Sequence, residues 1–166
     1  MGAERPAIAA AMKPETRTKV LFVCLGNACR SPMAEAIASR LAGDIIEATS
    51  AGLTPLGRVE PLTAETLARN GYPSAELESK GLNLTAIKEA DIIVNMSGQP
   101  KEFAFGNSPK VEDWRVEDPY GADADNYQRT FERIERLVAG LVGRLRNGTR
   151  TRTKSGNNGE TDGANS

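Results

Sequence analysis

The chain predicts an α/β fold, an open sheet whose strands are joined by right-handed crossovers. Three observations carry that reading. Short apolar runs recur at Lys19–Val23, Ile45–Ala51 and Asp91–Met96, with a weaker one at Lys110–Trp114. Helical patterns lie between them rather than hairpin turns. The first run is almost entirely apolar, as expected of a parallel strand buried on both faces.

Taken in order, residues 1–17 are rich in Ala, Pro and charge without periodicity and read as a flexible leader to a domain spanning residues 18–147. Strand one, Lys19–Val23, runs into the loop Cys24-Leu-Gly-Asn-Ala-Cys-Arg30. A helix follows behind a Ser31 cap with Pro32 beside it; Ala34, Ile37, Ala38 and Leu41 share its buried stripe, and Gly43 ends it. Strand two turns through Gly52–Gly57. Pro61–Asn70 reads as a second helix closed by Gly71, and Asn83–Glu89 as a short third that leads into strand three. After strand four comes the loop Arg115–Gly121. A long helix then starts at Asp125–Gln128, with Tyr127, Phe131, Ile134, Leu137, Val138, Leu141, Val142 and Leu145 on one wide stripe. Residues 148–166 are polar, Gly-rich and unpatterned, which predicts a disordered tail; the basic cluster Arg144, Arg146, Arg150, Arg152 and Lys154 reads as a solvated helix end.

Composition narrows the chemistry. A net charge of −1 gives no general reason to expect nucleic acid or an acidic membrane as partner. No apolar run approaches the ~18 residues of a membrane span. The two cysteines, Cys24 and Cys29, share one loop and cannot staple a secreted fold, so a reducing, cytoplasmic setting is expected. With no histidine in the chain, an imidazole base or ligand is excluded, and acid–base work falls to carboxylates.

The loop after strand one aims backbone N–H groups and a helix N-terminus at one small volume, which suits phosphate or a similar oxyanion. Cys24 offers a thiol whose thiolate form is favoured by the helix end and a nearby cation. Arg30 supplies that cation, and its planar fork can hold two phosphoryl oxygens at once. Ser31 is placed to give its hydroxyl to the thiolate. A leaving oxygen needs a proton, and Asp118, stiffened by Pro119, is the chosen donor, with Glu117 and Asp113 as alternatives. The loop lacks the G-x4-G-K-[ST] pattern, so nucleotide binding is not implied.

Cys24-Leu-Gly-Asn-Ala-Cys-Arg-Ser-Pro32, Thr49-Ser-Ala-Gly52, Glu89-Ala-Asp-Ile92 and Asp118-Pro-Tyr-Gly121 together resemble the low-molecular-weight protein tyrosine phosphatases and their arsenate reductase relatives. The resemblance implies a three-layer sandwich with a four-stranded parallel sheet flanked by helices. It implies a phosphocysteine on Cys24, Arg30 as oxyanion clamp and Asp118 as general acid and then base. Leu25, Gly26, Asn27, Ala28, Cys29 and Ser31 would line the phosphate site, and Tyr120 would form an aromatic wall. Asn27 would hold the loop in a left-handed twist, and Cys29 would be able to form a protective disulfide with Cys24. No metal or cofactor is implied, and the expected partner of this monomer is a phosphorylated protein.

Two departures bear on substrate. Ala28 stands where tyrosine-directed members carry a bulky Ile and arginine phosphatases a Thr, and the turn Gly52–Arg58 lacks the usual Trp. Phosphotyrosine is the leading substrate, with phosphoarginine as alternative. An arsenate reductase would need an external thiol, since Glu76–Ala90 has no cysteine for a relay. A phosphate-binding module without catalysis would have no need of Asp118.

Overall fold

The computed structural model describes residues 16–154, with side chains to residue 148. Expectations for residues 1–15 and 155–166 lie outside the described residues. Four strands, β1 (Thr18–Cys24), β2 (Ile46–Gly52), β3 (Ile92–Asn95) and β4 (Val111–Asp113), form one all-parallel sheet in the order β2-β1-β3-β4. The helices are α1 (Arg30–Ala42), α2 (Pro61–Arg69), α3 (Leu84–Glu89), α4 (Lys101–Phe105) and α5 (Ala124–Lys154). They cover both faces, giving the expected three layers.

Alternate residues of β1 face two cores, which is why its run is apolar throughout. Val20 and Phe22 pack with Met33, Ile37, Leu67, Phe131, Ile134 and Val138 from α1, α2 and α5. Leu21 and Val23 face the smaller cluster of Ile93 and Val111, closed by Ala86, Ile87 and Phe105 from α3 and α4. Phe22 and Trp114 meet with ring centroids 5.8 Å apart, and Tyr72 and Phe131 at 5.6 Å. Lys110 bridges the layers, its ammonium donating to the carbonyls of Ile87 and Ala90 at the end of α3.

From β1 the chain moves first to β2 on one side and later to β3 on the other, so the order reverses beside the C-terminal end of β1. A crevice at such a reversal is where open α/β sheets bind ligands. Cys24 is the last residue of β1 and stands at that point.

Several local expectations are corrected. α1 has Cys29, not Ser31, at its N-cap, and no side-chain cap bond, because the Ser31 hydroxyl is committed elsewhere. Gly43 follows α1 in an ordinary right-handed conformation, and the carbonyl of Ala42 is taken by Ile45 N–H instead of by a left-handed cap. Leu41 is exposed; in the last turn Ala42 takes the buried place. α4 has no counterpart in the sequence reading. α5 continues to Lys154, through the residues 148–154 expected to be tail. Adding residues to a packed helix costs only propagation, and one interior glycine such as Gly148 subtracts about 1 kcal/mol, too little to stop it.

Candidate active site

The Cys24–Arg30 loop is held from outside through its carbonyls. Those of Cys24, Leu25 and Gly26 accept from the N–H groups of Leu53 (3.1 Å), Thr54 (2.8 Å) and Leu56 (3.0 Å) in the turn after β2. The carbonyl of Ala28 accepts from Glu60 N–H (3.1 Å) and the Thr63 hydroxyl (2.8 Å), and that of Cys29 from Met33 N–H (3.2 Å). Among the described residues, the N–H groups of Leu25 through Cys29 donate to nothing in the protein. Peptide units whose carbonyls are bound outward turn their N–H groups inward, as an anion-binding nest requires.

Asn27 makes this curl, with φ of +50°, the left-handed value expected of it. It is fully buried, and each polar atom of its side chain is used. Nδ2 donates to Ser31 Oγ (2.7 Å) and Ser50 Oγ (3.0 Å), while Oδ1 accepts from Lys80 N–H (2.8 Å). Ser50 in turn donates to Glu35 Oε1. Ser31 Oγ receives from Asn27, so its own proton is turned toward two acceptors, Cys24 Sγ at 3.0 Å and the more distant Ala51 carbonyl at 3.4 Å; Ser31 N–H also points at the sulfur, at 3.5 Å. A thiolate there would be met by two donors and the positive end of α1. Gly52 closes the space from behind: a Cβ on it would stand 2.8 Å from Asn27 N and 2.9 Å from the Gly26 carbonyl carbon.

Arg30, only 5% exposed, is fixed by Nη1 donating to the carbonyls of Met96 (2.7 Å) and Val116 (3.2 Å) at the ends of β3 and β4. Its Nε is buried without a protein partner, a donor of the kind an oxyanion would occupy. Nη2 pairs with Asp118 Oδ2 at 3.2 Å. Asp118 is itself half-exposed and is oriented by an Asx turn, its Oδ1 accepting from Tyr120 N–H (3.1 Å).

These groups meet around one pocket of roughly 210 Å³. It is lined by Cys24, Leu25, Gly26, Ala28, Cys29, Arg30 and Asp118 and rimmed by Thr54, Leu56 and Tyr120. Of the candidate phosphate-binding residues, Asn27 and Ser31 lie behind the pocket wall and act on it through the network above. Of the alternative acids, Asp113 accepts from Asn95 Nδ2 (2.8 Å) and, like Glu117, does not line this pocket. Cys29 is a free thiol packed under the loop, 3.5 Å from the Tyr127 hydroxyl. Burial pushes its titration upward, so at neutral pH it stays a neutral thiol, and burial likewise raises the Tyr127 phenol. Among the described residues no cluster of three Cys, Asp or Glu side chains could hold a metal.

Sequence reasoning missed Thr54 and Leu56, which reach the rim because their backbone pairs with the loop. It missed Ser50 and Glu35 as the outer members of the hydrogen-bond chain. A small hydroxyl in the buried end of β2 was the only available signal.

The chain matches the model of the family described as low molecular weight phosphotyrosine protein phosphatase over residues 19–151. It is 30% identical, over 140 residues, to the probable low molecular weight protein-tyrosine-phosphatase EpsP of Ralstonia nicotianae, covering 76% of this chain and 95% of that protein. The protein-arginine-phosphatase of Bacillus subtilis is 29% identical over 145 residues, with 76% and 96% covered. The glutaredoxin arsenate reductase of Synechocystis is 31% identical over 129 residues, with 73% and 96% covered. Among solved structures, the low molecular weight protein tyrosine phosphatase from T. tengcongensis superposes with a TM-score of 0.70 at 31% identity, covering 76% of this chain and 99% of that one.

Proposed function

Because this chain belongs to the low molecular weight phosphotyrosine protein phosphatase family, a family of hydrolases, we propose that it removes phosphate from protein phosphotyrosine through a phosphocysteine on Cys24. In the first step the Cys24 thiolate attacks phosphorus as the ester P–O bond breaks, and Asp118 gives its proton to the departing phenol oxygen. In the second, a water attacks the phosphocysteine, Asp118 takes its proton, and the S–P bond breaks to release phosphate and the thiolate. Arg30 Nε and the loop N–H groups hold the equatorial oxygens throughout, and the phosphoryl group displaces Asp118 from Arg30 so that the carboxyl can serve the leaving oxygen. Ser31 stabilises the thiolate at both ends of the cycle.

The observation that carries the choice of substrate is the rim. Leu25, Leu56 and Tyr120 offer apolar surface to whatever bears the phosphate, which suits a phenyl ring better than a charged guanidinium. The same reading sets the enzyme in the cytoplasm, where a nucleophilic thiol is kept reduced, and has it act as a monomer with one pocket per chain.

Phosphotyrosine peptide, phosphoarginine and arsenate with glutathione should be assayed side by side on one preparation. The expected result is hydrolysis of the first, abolished by Cys24→Ser. Asp118→Ala should cut kcat by about a hundredfold for phenol-like leaving groups and far less for nitrophenol, which departs without a proton. Unchanged turnover in Cys24→Ser, or a greater rate on phosphoarginine or arsenate, overturns the proposal.

A further inference from the structure

The acid loop between β4 and α5 has a second side. Behind it opens a cleft of roughly 610 Å³, bounded by this loop and the first turns of α5. Its walls carry Arg115, Arg129 and Arg133, all exposed. Arg129 and Arg133 are one helical turn apart on α5 and rise from the same face. Arg133 Nε donates to the backbone carbonyl of Arg115 (3.2 Å), which ties α5 to the stretch of loop that carries the third arginine of the cleft.

Among the described residues none of the three is ion-paired. Arg129 donates to the neutral Asn126 Oδ1 at 2.7 Å. Asp123 lies within the field of Arg129 without pairing with it, and its Oδ1 accepts from both the Asn126 N–H and the Asn126 side-chain amide. Of the acids in the cleft walls, Asp118 is held by Arg30, which leaves Glu117 against three cations. Farther along α5, two arginines do find carboxylates, Arg144 with Glu112 (2.8 Å) and Arg146 with Asp44 (3.2 Å). A chain with a net charge of −1 therefore keeps a local surplus of positive charge directly behind its candidate general acid.

Asp118 lines both the Cys24 pocket and this cleft. A peptide with its phosphoresidue in the pocket crosses from one to the other within a few residues, at about 3.3 Å per extended residue. Guanidinium forks bind carboxylates through paired N–H donors, and three spaced along an open groove match a run of acidic side chains better than one compact anion. We propose that this cleft is a docking groove for an acidic segment, rich in Asp and Glu, next to the phosphorylated residue of the protein substrate. The inference rests on the phosphatase reading and adds to it a sequence preference in the substrate.

The experiment compares two phosphotyrosine peptides that differ only in acidic or neutral flanking residues, with p-nitrophenyl phosphate as a substrate too small to reach the cleft. The expected result is a kcat/KM about tenfold higher for the acidic peptide at low salt, expressed in KM and shrinking as salt is added. Arg129→Ala/Arg133→Ala should erase that preference and leave the neutral peptide and p-nitrophenyl phosphate unaffected. Arg129→Lys/Arg133→Lys should retain most of it, and Arg136→Ala, exposed on α5 outside the cleft, all of it. Equal rates on the two peptides in the natural protein, or a preference that survives the double alanine variant, overturn docking alone. Failure to cleave either peptide or p-nitrophenyl phosphate overturns the phosphatase reading and docking with it.

Discussion

Replacing Asn27 by Ala removes the three hydrogen bonds its side chain makes, at 2.7, 3.0 and 2.8 Å, and asks a residue with a Cβ and no polar group to keep φ at +50°. Each buried bond contributes about 1 kcal/mol net. The left-handed conformation costs Ala about 1 kcal/mol more than it costs Asn. The sum is about 4 kcal/mol, a large share of the roughly 5–15 kcal/mol that holds a domain folded. Asn27→Gly loses the same bonds but escapes the conformational cost, less about 0.5 kcal/mol for the freer unfolded chain, so it should be about 0.5 kcal/mol more stable than the Ala variant. Urea unfolding of the three proteins, followed by fluorescence of Trp114, measures both differences. In each variant kcat should fall as well, since the Ser31 hydroxyl loses the donor that turns its proton toward Cys24. An Ala variant within 1 kcal/mol of the natural protein would refute the network, and a Gly variant less stable than Ala would refute the role given to φ.

Arg30→Lys keeps the charge but loses the fork and the buried Nε, and should lower kcat by about a hundredfold or more against p-nitrophenyl phosphate. Asp44 is held below its ordinary value of 3.8 by the hydrogen-bonded Arg146 guanidinium. The folded state therefore releases that proton more readily than the unfolded one, so the pair stabilises above pH 4 and its contribution is lost as pH falls through the lowered value. Asp44→Asn should accordingly lose less Tm between pH 6 and pH 3 than the natural protein, by a small margin because the pair is exposed. Iodoacetamide at pH 7 should label Cys24, whose sulfur is met by the Ser31 hydroxyl and N–H, and spare Cys29, which desolvation keeps protonated; peptide mass spectrometry locates the label, and equal labelling would contradict the different roles given to the two thiols.

The strands were legible because burial on two faces leaves an unbroken apolar run, and the loop because nucleophile, cation and helix start fall within a few consecutive residues. Asp118 was legible through its turn chemistry, since Asp before Pro announces an ordered loop whatever the fold around it. Leu56 was not, because its place on the pocket rim comes from a backbone pairing between two loops, and carbonyl-to-amide bonds leave no mark on side-chain identity. The extent of α5 was misread because Asn147-Gly148 looks like an ending, whereas a helix already anchored by Tyr127, Phe131, Ile134, Val138 and Leu141 carries on past weak residues. α4 is five residues long, and its Phe103 points to solvent, so no period announces it.

The turn after β2 has two tasks on opposite edges of one strip of chain. Its N–H groups fasten the carbonyls of Cys24, Leu25 and Gly26, and its side chains Thr54 and Leu56 rim the pocket. The two tasks are separable by kind of change. Swapping the side chains leaves the fastening untouched, whereas adding or deleting a residue would slide every amide off its carbonyl and spoil the cradle. Substrate preference in this scaffold can thus drift one substitution at a time, while the length of the turn is locked to the chemistry behind it.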